Sequence, residues 1–389
     1  MIAIRLAIKN ILGAGFRTFL NIAVLSFAFI LIIWHNGVID GWNQQARRDT
    51  VEWEIGQGQF WAPGFDPLDF LTYQDAHAPI PTSLGPKVGE GSLTPILVAQ
   101  ASAFPQGRMQ GVVLRGIDPK QSTLKIPTAL LDNPNIPAPA IVGSRMAKAM
   151  KVKEGDLLLV RWRDKNGAFD ALELTIAGVF NCNVPTIDGG QVWVPLQRLQ
   201  EMMEMPGEAT ILVKGNDFTA ENPAPWVYKD PSFLLADLDM IIQSKKGGGA
   251  IIYGLLLIIA LLAIFDTQVL SIFRRQKEIG TYIALGMTRR QVVGIFTVEG
   301  TIYSILAILL GAVYGIPLLV YMSRTGWALP QGSQDMGISI AERIYPVYGT
   351  GLVVGTILLV ILAATVVSFL PARKIAKLKP TDALKGKIQ

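Results

Sequence analysis

The sequence predicts an α-helical membrane protein with four transmembrane helices and a mixed α/β domain inserted between helices 1 and 2. Three observations carry this. Four windows are apolar over about 20 residues, the length a helix needs to cross a hydrocarbon core about 30 Å thick. Half of the 389 residues are hydrophobic and only 17% are charged, against about a quarter in a soluble chain, and the mean hydropathy is +0.38. Most of the 23 prolines fall between Trp42 and Lys246, in a stretch whose charges and turns lipid would not tolerate.

In chain order, residues 1–17 form a tail carrying Arg5, Lys9 and Arg17. Residues 18–40 form the first span. Its length, and the lack of a small-x-small site in His35-Asn36-Gly37-Val38-Ile39-Asp40, make it an anchor rather than a cleaved leader. Residues 41–246 form the soluble insert. Runs rich in Val, Ile, Leu and Trp, bounded by Gly, Pro and Asp, predict strands at 109–117, 157–162, 172–180 and 191–194. Helices are expected at 144–150, 196–205 and 232–244, and Lys165-Asn166-Gly167 reads as a hairpin turn. The second span is 247–273, opening on Gly247-Gly248-Gly249, a candidate hinge. A cytoplasmic coupling segment follows at 274–291, a third span at 292–323, a short loop at 324–343, a fourth span at 344–370 and a tail at 371–389.

Basic residues next to the spans give the direction, because they stay on the cytoplasmic side. The amino tail, the segment with Arg274, Arg275, Lys277, Arg289 and Arg290, and the carboxy tail with Arg373, Lys374, Lys377, Lys379, Lys385 and Lys387 contain only two acids, Glu278 and Asp382. The loop with Arg324 and Arg343 is balanced by Asp335 and Glu342. Both termini are therefore expected in the cytoplasm and the large domain in the periplasm. Trp34, Trp42, Trp327 and Tyr345 fall near the expected outer ends, as an aromatic belt requires.

The formal net charge of +5 is thus membrane-surface charge. No basic run interleaves with aromatics in the insert, so nucleic acid is not an expected partner. One cysteine, Cys182, and two histidines exclude a disulfide framework and a typical zinc centre. No GxSxG, HExxH, GxGxxG or P-loop pattern occurs, so no enzyme activity and no bound cofactor or metal is expected, and any ATP chemistry must come from another chain.

The segment after the second span has the most specific pattern. Residues 276–285 can form a short helix with Ile279, Tyr282 and Ile283 on one stripe and Lys277 and Glu278 outside it. Gly286 suits the left-handed residue that ends such a helix. Thr288 followed by Gln291 is a capping box, so the next membrane helix starts at about Arg289. Read from the residues alone, an ordinary basic loop on lipid phosphates remains the alternative. Within the spans, Gly311 with Gly315 and Gly351 with Gly355 are GxxxG pairs that allow close helix packing.

Arg275-Gln276-Lys277-Glu278-Ile279-Gly280, continuing through Ala284-Leu285-Gly286-Met287-Thr288-Arg289-Arg290-Gln291, resembles the R-x-(K/R)-E-I-G-x-x-x-A-L-G-x-(S/T)-R-R element of the FtsX-like permease family, the membrane subunits of bacterial ABC systems of the MacB and Lol type. The carboxy end from Leu370-Pro371-Ala372 to Pro380-Thr381-Asp382-Ala383-Leu384 is similar to that family's P-A…P-x-x-A-L tail. Leu6-Ala7-Ile8-Lys9-Asn10 with Arg17-Thr18 resembles its amino-terminal helix. The family often has Asn where this chain has Asp266, so the resemblance implies a charge buried there, whereas Glu299 matches a common family Glu. A buried carboxylate is costly and faces a bundle interior or a polar partner. A hydrogen-bonded or protonated structural acid near the cytoplasmic boundary is expected, with a proton or ion path as the alternative.

The resemblance implies a multi-pass protein of the bacterial inner membrane, in contact with lipid. It implies a cytoplasmic ABC ATPase dimer that binds the ATP and Mg, and a second permease subunit, the same chain or a homologue. The 276–285 helix would sit in a groove on the ATPase, which makes Arg275, Lys277, Glu278, Ile279, Gly280, Tyr282, Ile283, Leu285, Gly286, Arg289 and Arg290 the coupling residues. ATP hydrolysis would then drive periplasmic movements through the spans, the mode called mechanotransmission, and extract lipoproteins from the inner membrane. The alternatives are MacB-like efflux of drugs or peptides and FtsX-like signalling to a periplasmic hydrolase.

Overall fold

The computed structural model describes residues 16–216, 218, 223–328 and 343–375. The expectations for Arg5, Lys9, Asp335, Glu342 and the tail beyond residue 375 lie outside them, as do the side chains of Arg17 and Lys374. The described chain divides into two compact units, one of membrane helices and one made by the insert.

The membrane unit is built on four long helices: α1 (Phe16–Thr50), α4 (Ala236–Arg274), α6 (Arg289–Thr325) and α7 (Thr350–Ile375). Each is long and apolar enough to cross a bilayer. All begin or end beyond the apolar runs that announce them, because a helix continues until a cap or a breaker stops it. The first continues to Thr50 and then loosens into one π-helical turn, Val51–Ile55. Gly247-Gly248-Gly249 does not interrupt α4, which is helical throughout. Side chains from all four helices meet in one cluster, with Leu25, Phe29 and Ile33 of α1, Leu261 and Ile264 of α4, Ala307 of α6 and Val360 and Ala364 of α7.

Gly311 and Gly315 of α6 face α1: a Cβ on Gly311 would lie 3.2 Å from Phe29 and from Ser26, and one on Gly315 would collide with Ile30. The two helices approach closely at these glycines, most tightly at Gly315, where a side chain would require Ile30 to move. A Cβ on Gly351 or Gly355 would meet nothing within 4 Å among the described residues, so this pair marks no close approach there. Among the expected outer-end aromatics, Trp34 meets Trp327 edge to face. Lys245 lies over the Trp42 ring at 3.9 Å, and Lys246 pairs with Asp40 at 2.9 Å.

The insert is a mixed α/β domain, described by itself. Its main sheet joins, in spatial order, β9 (Val227–Lys229), β1 (Gln59–Trp61), β8 (Ile211–Lys214), β2 (Leu93–Ala103), β3 (Gln110–Ile117), β7 (Gln191–Pro195), β4 (Pro139–Gly143), β6 (Phe169–Phe180) and β5 (Leu157–Arg163). The long strand β2 pairs with β8 through its first half and with β5 through its second, at Ala101 with Trp162 and Ala103 with Val160. The six strands β2-β3-β7-β4-β6-β5 thus close on themselves, which removes two exposed edges.

Inside lie Leu97, Ala99, Leu114, Val142, Leu158, Val160, Leu174, Ile176 and Val192. Helices α2 (Ser144–Met150) and α3 (Leu196–Met203) add Met146, Met150, Leu199 and Met203 to that core. A second cluster with Tyr73, Ile96, Val98, Ile117, Cys182, Trp193 and Val213 covers other faces of the same strands.

The strands expected at 109–117, 157–162, 172–180 and 191–194 form within a few residues of those limits. Lys165-Asn166-Gly167 is the turn between β5 and β6, with Gly167 at a φ of +88°. Strands β1, β2, β4, β8 and β9 are additions to the sequence reading. The expected helix at 232–244 divides into a short capped turn, Pro231–Leu234, and the start of α4.

Candidate functional site

Span two ends where Arg275 leaves helical geometry, at φ −103° and ψ 19°. A nine-residue helix, α5 (Gln276–Ala284), follows at once. Gly286, at φ +97°, turns the chain, and Thr288 starts α6 through a complete capping box. Its hydroxyl accepts the Gln291 N–H at 3.3 Å, and its own N–H donates to the Gln291 side chain at 2.8 Å. Helix, sharp turn and new membrane helix are thus set by local chemistry.

Tertiary packing decides which face of α5 is which. Ile279 is fully buried, and Tyr282 and Ile283 are half-buried. With Met287 they pack on Ile272 of α4, Val292, Val293 and Phe296 of α6 and Ala372 of α7. Gly280 is buried beside Ile279. The apolar stripe therefore anchors α5 to its own bundle, and Ile279 and Gly280 present nothing outward. The outward face includes Lys277, Glu278, Thr281 and Ala284, followed by Leu285, 78% exposed, and by Gly286, Arg289 and Arg290.

Arg275 ties this arrangement together. Its Nε donates to Glu278 Oε2 at 2.7 Å, its Nη1 donates to Glu299 Oε2 at 3.1 Å, and its guanidinium lies 5.0 Å from the centre of the Phe296 ring. Burial alone would lower its pKa, but the bond to Glu278 and the charges of Glu299 and Glu278 hold it above the ordinary value. The Glu299 side chain is only 3% exposed, against 55% for Glu278. Sequence reading placed Arg275 with the coupling residues and Glu299 with the membrane acids; the fold makes them one contact.

Next to Glu299, Gly300 marks a point where α6 and α7 approach closely, since a Cβ there would collide with the Ser368 side chain and lie 3.4 Å from Gln268 Nε2. Gln268 and Ser368 are buried, and their side-chain polar atoms have no hydrogen-bond partner among the described residues. Neither is among the residues expected from the sequence; the available signal is a polar side chain within each of two apolar spans. Asp266 departs from the expectation of a buried charge. It lies on the exposed face of α4 with Leu262 and Leu270, while Leu261, Ile264 and Gln268 face inward. Helical periodicity puts residue 266 opposite the packed stripe.

The inserted domain holds two charged contacts that the sequence did not reveal. Arg115 on β3 is buried, with its guanidinium 5.4 Å from the Trp193 ring centre; burial lowers its pKa, against the charges of Glu54 and Tyr73. Asp188 pairs with Arg145 at 3.1 Å and accepts the Arg145 N–H at 3.2 Å, closing the start of α2 from another part of the chain. Among the described residues, no group of His, Cys, Asp and Glu is arranged to hold a metal. The 273–300 region offers an outward helical face on a clamped support.

Parts of the chain match known proteins. Residues 250–380 match the family described as FtsX-like permease C-terminal. The lipoprotein-releasing system transmembrane protein LolC of Xylella fastidiosa strain Temecula1 is 23% identical over 319 residues, covering 74% of this chain and 76% of the relative. The LolC of strain 9a5c matches to the same extent. Among solved structures, the periplasmic region of MacB from Actinobacillus actinomycetemcomitans aligns with a TM-score of 0.32 and 13% identity, over 48% of this chain and 94% of that one.

Proposed function

We infer that this chain, which carries an FtsX-like permease domain over residues 250–380, is the membrane subunit of a bacterial ABC system that releases lipoproteins from the inner membrane. It works beside a separate cytoplasmic ATPase dimer, which supplies the ATP and Mg chemistry, and a second permease. The observation that carries the reading is α5: its apolar stripe is committed to the bundle, and Lys277, Glu278, Thr281 and Leu285 face outward. A short helix clamped on one side and open on the other is suited to receive displacement from a partner. The curated relatives, both of a lipoprotein-releasing system, support the choice of cargo.

In this reading both termini and α5 are cytoplasmic and the inserted domain is periplasmic. Closure of the ATPases on ATP displaces α5, and the spans pass the displacement to the inserted domain. No group on this chain needs to touch nucleotide.

The complex purified from native membranes and reconstituted with a lipid-anchored protein tests the proposal. ATP-dependent release is expected, together with an ABC ATPase in the purified material. Charge reversal at the outward face, Lys277→Glu, is expected to uncouple ATPase turnover from release while membrane insertion stays normal. Absence of ATP-dependent release from a complex that still hydrolyses ATP would overturn the cargo assignment, and absence of any ATPase partner would overturn the permease reading.

A further inference from the structure

We propose that Arg275 is a positioning residue: its pair with the buried Glu299 fixes the orientation of the 276–284 helix on the third span, and its pair with the exposed Glu278 does not. The inference deepens the permease reading and rests on it only for the direction in which force travels.

A helix of nine residues cannot hold its own shape in water and takes its stability from tertiary contacts. Two kinds of contact are present. The apolar cluster around Ile279 and Phe296 holds α5 down, but hydrophobic contact is non-directional and leaves roll and slide weakly specified. The guanidinium is different, because its planar fork of donors has a fixed geometry and its attraction to a carboxylate grows where water is excluded.

Arg275 is also the non-helical residue that separates α4 from α5. The residue at the joint is therefore the one that is clamped, and the joint cannot swing without breaking the clamp. Its partner Glu299 lies inside α6, three residues after Phe296, the ring that packs against the same guanidinium. Glu278, by contrast, stands on α5 itself, so its bond to Arg275 cannot fix α5 against anything else. Load on the outward face of α5 then reaches the third span at Glu299, beside Gly300, where a Cβ would collide with Ser368 of α7. Sequence order alone would route it through α4.

The test uses the full chain in lipid nanodiscs with Cys182→Ser and a nitroxide on Thr281→Cys, an exposed position of α5. The label reports the mobility of the helix whether or not an ATPase is present. Glu299→Gln is expected to raise the mobile fraction of the label severalfold, Glu278→Gln to leave it unchanged, and Arg275→Lys to fall between them. The exchanged pair, Arg275→Glu with Glu299→Arg, is expected to restore immobility. An unchanged label in Glu299→Gln, or equal loosening in Glu278→Gln, would overturn the proposal.

If Glu299→Gln does not accumulate in the membrane, the exchanged pair decides: accumulation with an immobile label supports the clamp, and failure or a mobile label overturns it. Failure of the permease reading would appear separately, as a complex without ATPase, and would leave the label result standing.

Discussion

Arg275 shows how two ion pairs on one side chain differ in worth. The Glu278 pair is exposed on the acid's side, where such contacts contribute about 0.2–1 kcal/mol and are screened by salt. The Glu299 carboxylate is buried, and removing one partner of a buried pair costs about 3–5 kcal/mol because the other charge is left uncompensated. The same reasoning from burial applies to Cys182. Burial pushes its thiol up to about 12, with the charges of Asp188, Asp49 and Glu54 adding to the rise and the Val184 N–H opposing it. The thiolate, which is the nucleophile, is therefore scarce at neutral pH. Alkylation of Cys182 at pH 8 is expected to be at least about a hundredfold slower in the folded chain than after unfolding, by maleimide kinetics with and without denaturant. Composition reveals that this cysteine has no disulfide partner within the chain, but not that it is buried, because its surroundings come from distant strands.

At the scale of elements, glycine supplies a prediction that spacing alone could not. Gly311 and Gly315 follow the GxxxG pattern and do meet α1, yet Gly351 and Gly355 follow it equally well and a Cβ on either would meet nothing within 4 Å among the described residues. Gly300, in no such pair, lies in the tightest of these approaches. Gly300→Val is expected to push α6 from α7 and destabilise the bundle by about 1–3 kcal/mol or more, as overpacking does. A lowered thermal midpoint of the detergent-solubilised chain, partly recovered by adding Ser368→Gly, checks it.

Strand β2 illustrates the converse limit. Its residues Leu93–Ala103 are nearly all buried, since one face fills the closed barrel and the other lies under a second cluster. It therefore lacks the alternation that marks a half-exposed strand, and Pro95 argues further against it. The strands 157–162 and 172–180 were legible because alternate residues face water in at least part of each.

At the scale of the whole molecule, sidedness is the consequence to check. In a Cys182→Ser chain, an impermeant maleimide is expected to label Lys165→Cys, at the hairpin tip of the insert, in spheroplasts, and Lys277→Cys only in inverted vesicles. Labelling of both from one side would remove the orientation and with it the route for force. Four apolar runs, a proline-rich insert, one capping box and the R-x-K-E-I-G element are local patterns, and sequence alone determined from them the fold class, the count of spans and the place of the short helix. Tertiary structure decided that Ile279 turns inward, that Asp266 lies outside the packed stripe, that Arg275 meets Glu299 and that six strands close into a barrel. These outcomes join residues from separate elements, and which side chains share a face or a charge depends on how the helices and strands pack, a property no single stretch of sequence contains.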